Sequence, residues 1–223
     1  VPLNFLPQIL YDKSWYWNCV LIYGNISNFI GVKNPVREFK SNQNTLRISS
    51  LGGFGDVTQN MFVYEFIPNG DTSKSQIIIV DCGVGFPEED AFGVDLQIPD
   101  TQYLQDKKDR ILGMFITHGH EDHIGAVPYL LRERGDIAIY GSSLTIALIT
   151  AKLKEHRISP LTREVKEGDI EDIGPFSCEF VAVNHSIPDA LAVAIHTEAG
   201  TVLHTGDFKM DQLPLDGRIT DLP

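Results

Sequence analysis

Residues 117–125 read THGHEDHIG and follow directly on the apolar run ILGMFI, so His118, His120, Glu121, Asp122 and His123 crowd the mouth of an expected buried strand. Imidazoles and carboxylates packed this closely are costly to desolvate unless a cation compensates them. The spacing suits metal binding. His118 and His120 are two positions apart, so in an extended segment their side chains point the same way and can share one ion. Asp122 and His123 fall where the chain turns, face elsewhere, and supply half of a second site. Zinc takes histidine nitrogen and carboxylate oxygen at about 2.0–2.2 Å, and two-metal hydrolases hold their ions about 3.5–4 Å apart.

An HxHxDH string cannot fill two sites alone, and the other ligands are sought at the ends of other strands. His185 follows FVAVN and Asp207 follows VLHTG. Strand ends expose side chains while the sheet holds them still. His185 would complete a three-histidine set with His118 and His120, and Asp207, with its two carboxylate oxygens, would bridge both ions. Asp81 closes the run IIIV and reads equally as an outer carboxylate orienting a ligand histidine or as a strand-terminating aspartate. The remaining histidines read differently: His156 and His196 as surface or satisfied residues, and His204, inside a strand, as a packing residue.

Other chemistries find little support. LGGFG (51–55) has no helical pattern after it and reads as a tight turn rather than a phosphate loop. No GxSxG elbow occurs, and Cys82 has no basic neighbour to activate it. Cys19, Cys82 and Cys178 are odd in number and far apart, without a CxxC, so neither a disulfide framework nor a thiolate zinc site is indicated, and a reducing, cytoplasmic setting fits best.

The elements that must position these residues are legible from periodicity. Strands are expected at 46–53, 61–66, 76–83, 111–117, 136–141, 176–183, 190–197 and 201–207, the last two joined through EAG as a hairpin. Helices are expected at 123–134, stopped by Gly135, and at 142–156, whose serines would cap its start. Strand runs flanking strand–helix–strand units predict an α/β architecture with helices packed outside the sheets.

The chain has 223 residues, enough for one principal domain, and its 43% hydrophobic and 22% charged residues are those of a globular protein. Its 18 basic against 30 acidic residues leave a net charge of −12, the wrong sign for gripping nucleic acid over the whole surface. A polyanionic substrate must therefore be met locally, by metal ions or a basic patch. No apolar run spans a bilayer, and the start lacks the features of a cleavable signal peptide. Residues 1–44 differ from the rest, with four basic against two acidic residues, the aromatic WYW and a polar KSNQN ending that reads as a linker. They have no clean period and read as an appendage or poorly ordered leader ahead of a domain over 45–223.

THGHEDHIGAVPYLL together with VNHSIPDALAVAIHTEAGTVLHTGDFKMDQLP resembles the metallo-β-lactamase superfamily and, within it, the ribonuclease J family of the β-CASP group. The similarity extends through LGGFG, VDCGVGFPEEDAFGVDLQIPD and YGSSLTIALITAKLKEH, from Leu46 to the end, although Asp56-Val57-Thr58 stands where the family has Glu-Ile-Gly. The resemblance implies the N-terminal part of an αββα sandwich, ending at Pro223 about where a β-CASP insertion would begin. It implies two Zn2+ ions: His118, His120 and His185 on one, Asp122 and His123 on the second, Asp207 bridging them and Asp81 in the outer shell. The second site is expected to be incomplete, because the family takes a further histidine from beyond the insertion. The implied activity is hydrolysis of RNA phosphodiester bonds by a hydroxide held between the metals, with Asp122 also orienting the nucleophile, in RNA processing and decay. The implied partners are an RNA substrate and, for the full-length family form, further copies of the chain, with no membrane. A small-molecule thioesterase or lactamase and a catalytically silent metal-binding fragment are the alternatives.

Overall fold

The computed structural model describes residues 8–10, 18–23, 36–41, 43–55, 57–87, 91–211, 213–214 and 217–221. Two sheets are present. The first runs β3 (Val36–Ser41), β4 (Asn44–Gly52), β5 (Met61–Ile67), β6 (Gln76–Val80), β7 (Ile111–Phe115), β8 (Ala138–Gly141), β9 (Leu161–Glu164). It is antiparallel up to β6 and parallel from β6 to β9. The second runs β1 (Gln8–Leu10), β2 (Asn18–Tyr23), β13 (Gly200–Asp207), β12 (Leu191–Thr197), β11 (Phe176–Ala182), β10 (Ile170–Ile173), all antiparallel.

Alternation along the strands builds two cores. Phe62, Tyr64 and Phe66 of β5, Ile78 and Val80 of β6 and Phe115 of β7 face the second sheet, where Phe176, Phe180, Val193 and Val202 meet them. Met61, Val63, Ile77, Ile79 and Met114 point the opposite way and are covered by Ile124 of α1 (Glu121–Ile124), Val127 and Leu130 of α2 (Val127–Glu133), and Ile146, Ile149 and Leu153 of α3 (Ser143–Glu155). Burial on both faces is why these strands read as continuous apolar runs. The layers are helix, sheet and sheet among the described residues, three of the four layers of an αββα sandwich. No helix among the described residues is long and apolar enough to cross a membrane.

Several expectations need correction. The helix expected over 123–134 is two helices, because the Ala126 amide bonds to the Cys82 carbonyl at 2.9 Å and the chain steps sideways between α1 and α2. The strand expected over 76–83 ends at Val80, since Asp81 turns to a φ of 61°. Ser142 occupies the N-cap of α3, but its hydroxyl donates to Thr145 Oγ1 at 2.9 Å instead of capping the backbone. The 3-10 helix Thr101–Arg110 buries only Leu104, and β9 is exposed throughout, so neither carried a hydrophobic period to read. Three stretches of the first 44 residues, for which no element was expected, form strands. Within KSNQN, read as a linker, Ser41 pairs with Asn44 and so joins β3 to β4 in one sheet. Asp56 and most of the lead-in, including WYW, lie outside the described residues.

The 3-10 helix is fastened to the sheet by one buried carboxylate. Glu65 accepts from Ser75 Oγ at 2.6 Å and Tyr103 Oη at 2.5 Å, and pairs with Arg47 at 3.1 Å and Lys107 at 3.4 Å. Burial pushes the Glu65 carboxyl up, but those hydrogen bonds and the two cations outweigh it and hold the group below its ordinary value. A depressed folded value means stability that is present above the unfolded pKa, about 4.3, and lost as pH falls through the folded one. Glu65→Gln is expected to cost about 1–3 kcal/mol at pH 7 in urea unfolding, with the gap from wild type closing as pH drops below about 4. An equal gap at pH 7 and pH 3 would show that the charge on Glu65 contributes nothing.

Candidate metal centre

The strand ends converge for a topological reason. Strands β11 and β13 are both antiparallel to β12, so they run the same way and release His185 and Asp207 at one rim. The parallel pair β6 and β7 releases Asp81 and Thr117–His118 there. A register shift between His204 and Asp207 in the pairing with β2 marks a bulge at the end of β13. Bulges re-aim side chains at strand ends. Within it Gly206 takes a φ of 56°, and a Cβ there would lie 2.9 Å from Thr117 Cβ, so a larger residue would push β13 off the histidine loop.

All six expected ligands come together. His118 Nε2 lies 3.0 Å from His120 Nδ1, and His185 Nε2 lies 3.2 Å from the same atom. His185 Nε2 is 3.6 Å from one Asp207 oxygen, and His123 Nε2 is 3.6 Å from the other. An Asp122 oxygen is also 3.6 Å from His123 Nε2. Two groups have ligand atoms all within 4.8 Å of one another: His118 with His120 and His185, and His118 with His123 and Asp207. His118 thus stands between the two groups, where the sequence reading placed it in one.

The donor set fits a divalent cation. Burial holds His118, His120 and His185 below the ordinary histidine range, His185 at about 4, so their rings are neutral and offer lone pairs. Three neutral ring nitrogens turned toward one another leave acceptors that hydrogen bonds among themselves cannot all satisfy, and a cation does. Asp122 is raised by burial, with His123 opposing and Asp207 reinforcing, and Asp207 is lowered because its histidine neighbours outweigh burial. Burial opposes a charge on His123 too, but Asp81 and Asp207 override it and lift the ring to about 10 in the metal-free chain.

The scaffold around the candidate ligands holds the expected Asp81 together with Thr117 and Asn60, which the sequence reading passed over. Asp81, fully buried, accepts from the Thr117 amide at 2.8 Å, from the Thr117 hydroxyl at 2.9 Å and from His123 Nδ1 at 2.7 Å. It orients His123 through the ring nitrogen that faces away from the ligand group, as outer carboxylates do. Asn60, also fully buried, places its amide 3.1 Å from His123 Nε2 and 3.4 Å from Asp122. Its only sequence signal was a polar residue immediately before an apolar strand. His204 packs edge-on to Phe62 at 5.0 Å and shares a hydrogen bond with Tyr64 Oη at 2.8 Å. His156 lies against Tyr129 and Arg132, and His196 against Thr201 and Glu179, both apart from the centre.

This arrangement of sandwich, HxHxDH loop and strand-end ligands defines a class: the chain belongs to the metallo-beta-lactamase superfamily, whose family profile matches residues 55–216. Within it the chain is similar to ribonuclease J of Mycolicibacterium smegmatis, 54% identical over 178 residues, which are 80% of this chain and 31% of that protein. It is also similar to ribonuclease J of Helicobacter pylori, 43% identical over 202 residues, 88% of this chain and 28% of that protein. The chain therefore spans about a third of the length of the curated relatives it matches. A protein of unknown function from Enterococcus faecalis V583 shares the fold, with a TM-score of 0.50 and 19% identity over 80% of this chain and 44% of that one.

The Asp122–His123 turn is held by main-chain bonds to two strand ends: Cys82 N to His123 O at 2.8 Å, Val84 N to Glu121 O at 3.1 Å and Asn60 N to Asp122 O at 2.9 Å. Gly83 makes this approach feasible, since a Cβ there would sit 1.6 Å from the Asp122 carbonyl oxygen. Gly83→Ala is therefore expected to lower stability by about 3 kcal/mol or more and to weaken divalent-metal binding at the candidate centre at least about tenfold. Urea unfolding and competition with a chromogenic chelator measure both, and wild-type metal affinity in this variant would mean the turn does not set the centre.

Proposed function

We propose that the chain is the metal-binding portion of a zinc-dependent ribonuclease that hydrolyses RNA phosphodiester bonds. The observation that carries the reading is the convergence of His118, His120, His185, Asp122, His123 and Asp207 at one rim, in a chain 54% identical to a protein named ribonuclease J. His118, His120 and His185 would hold one zinc, Asp122 and His123 a second, with Asp207 turned toward both through separate oxygens. Zinc, when bound, supplies Lewis acidity, which acidifies water near neutral pH and neutralises charge on a phosphodiester. The chain's own residues do the rest. Asp122, partly exposed, orients the attacking water; Asp81 and Thr117 fix the ring of His123; Asn60 donates to Asp122 and steadies it. Positive charge at the rim answers the problem posed by a net charge of −12.

The two ligand groups are not equal. With His118 assigned to the first site, three histidines and Asp207 would give that site the four donors that tetrahedral zinc accepts, whereas Asp122, His123 and the shared Asp207 would give the second three. Dialysis against metal-free buffer is expected to leave close to one zinc per chain by elemental analysis, with a second bound only when zinc is added. Because the second site is one donor short, the chain by itself should cleave 5′-monophosphorylated single-stranded RNA only slowly and leave a chromogenic lactam intact, and His118→Ala should abolish that residual cleavage. Turnover of the lactam without cleavage of RNA would replace this reading with that of a small-molecule hydrolase.

A further inference from the structure

A cavity of about 300 Å³ opens beside the metal centre, lined by His185, Ser186, Ile187, Pro188, Lys209 and Asp211 among others. His185 is thus shared between the centre and the cavity, so whatever fills the cavity lies against the ligand shell. The volume is that of a single nucleotide-sized ligand, at the small end of ligand pockets, which run from about 300 Å³. The walls are of two kinds. Ile187 and Pro188 are apolar, and the Ile187 side chain reaches across to within 3.5 Å of the point where a Cβ on Gly119 would stand, tying the cavity wall to the HxH loop. Lys209, two residues beyond Asp207, is the cation.

Lys209 differs from the other cations of this rim. Lys152 is taken up by Glu121 at 2.8 Å, and Arg218 by Asp189 and Glu167, each at 3.1 Å. Lys209 has no carboxylate within 4.0 Å among the described residues, and its side chain is exposed to the cavity. Its backbone is fixed on both sides: its amide donates to the Asn184 carbonyl at 2.6 Å, and its carbonyl accepts from Thr220 Oγ1 at 2.6 Å. A free ammonium on an anchored backbone, beside a ligand shell and above apolar walls, suits a phosphate whose attached base covers the walls.

We propose that this cavity receives the nucleotide adjoining the scissile bond of a single-stranded RNA, with Lys209 binding its phosphate, Ile187 and Pro188 meeting its base and Asp211 accepting from a ribose hydroxyl. The proposal rests on the ribonuclease reading above and names the contact by which an acidic chain holds a polyanion. A lysine on a phosphate releases counterions and adds about one unit to the dependence of log Kd on log salt, whereas apolar contact with a base does not.

Fluorescence anisotropy of a labelled single-stranded RNA decamer, with the zinc-loaded chain at several salt concentrations and the oligonucleotide checked for integrity on a gel, tests this. Lys209→Ala is expected to weaken binding by about five- to tenfold and to lower the salt slope by about one, while zinc content stays at the wild-type value and Lys209→Arg restores both affinity and slope. Ser186→Leu, which fills the cavity without touching charge, is expected to weaken binding with the slope unchanged. If Lys209→Ala matched wild type in affinity and slope, or Ser186→Leu bound as wild type, the cavity would not be the nucleotide site, and the ribonuclease reading would stand on the cleavage of RNA. A wild-type chain that neither binds the decamer nor cleaves RNA would overturn both.

Discussion

The centre depends on one buried carboxylate. Asp81 lies where β6 ends, at a positive φ that aspartate tolerates better than most residues, and from there it accepts from the backbone and hydroxyl of Thr117 and from the ring of His123. A buried carboxylate with fewer donors would be expensive, and Asp81 draws its donors from the segment that carries the candidate metal ligands. The same hydrogen bonds that stabilise the anion therefore fix the start of the HxHxDH loop and the tautomer of His123. Burial of a charge and orientation of a ligand are one arrangement here.

Around that carboxylate the molecule solves a steric problem. The turn bearing Asp122 and His123 must lie against the loop that follows β6, close enough for main-chain hydrogen bonds, and the absence of a side chain at Gly83 makes the distance attainable. The Ala126 amide is drawn to Cys82 by the same approach, which divides one expected helix into two. On the other sheet, Gly206 brings β13 against Thr117, and Leu191 N bonds to the Thr117 carbonyl at 2.9 Å. Thr117 is thus the point at which both sheets touch the ligand loop, and their relative placement sets where His185 and Asp207 arrive.

Charge is arranged with equal economy. Among the described residues several cations are held in ion pairs, as Arg134 with Asp136 and Lys108 with Glu133 illustrate. Exposed pairs of this kind contribute little to stability. Lys209, which pairs with no carboxylate among the described residues, and the neutral histidines lie at the rim where the proposed metal ion and anionic substrate would meet.

The ligands were legible in the sequence because their chemistry is local: HxHxDH declares itself by residue type and spacing, and His185 and Asp207 stand directly after apolar runs whose periods mark them as strands. The strands of both cores were legible for the same reason, since alternation and unbroken apolar runs follow from burial on one or two faces. Strand β9 and the 3-10 helix Thr101–Arg110 were not, because an exposed edge strand and a helix that buries a single leucine carry no period. Nor were the roles of Asn60, Thr117, Gly83 and Lys209, each an unremarkable residue until the fold supplies its neighbour. Sequence by itself determined which side chains can bind metal and the sandwich they ride on. Tertiary structure alone decided that β11 and β13 end at the rim where β6 and β7 end, that His118 stands between two ligand groups, and that Lys209 opens onto a cavity at His185. These are contacts between segments far apart in the chain, and sheet register and close backbone approach, which no local pattern encodes, set the distances between them.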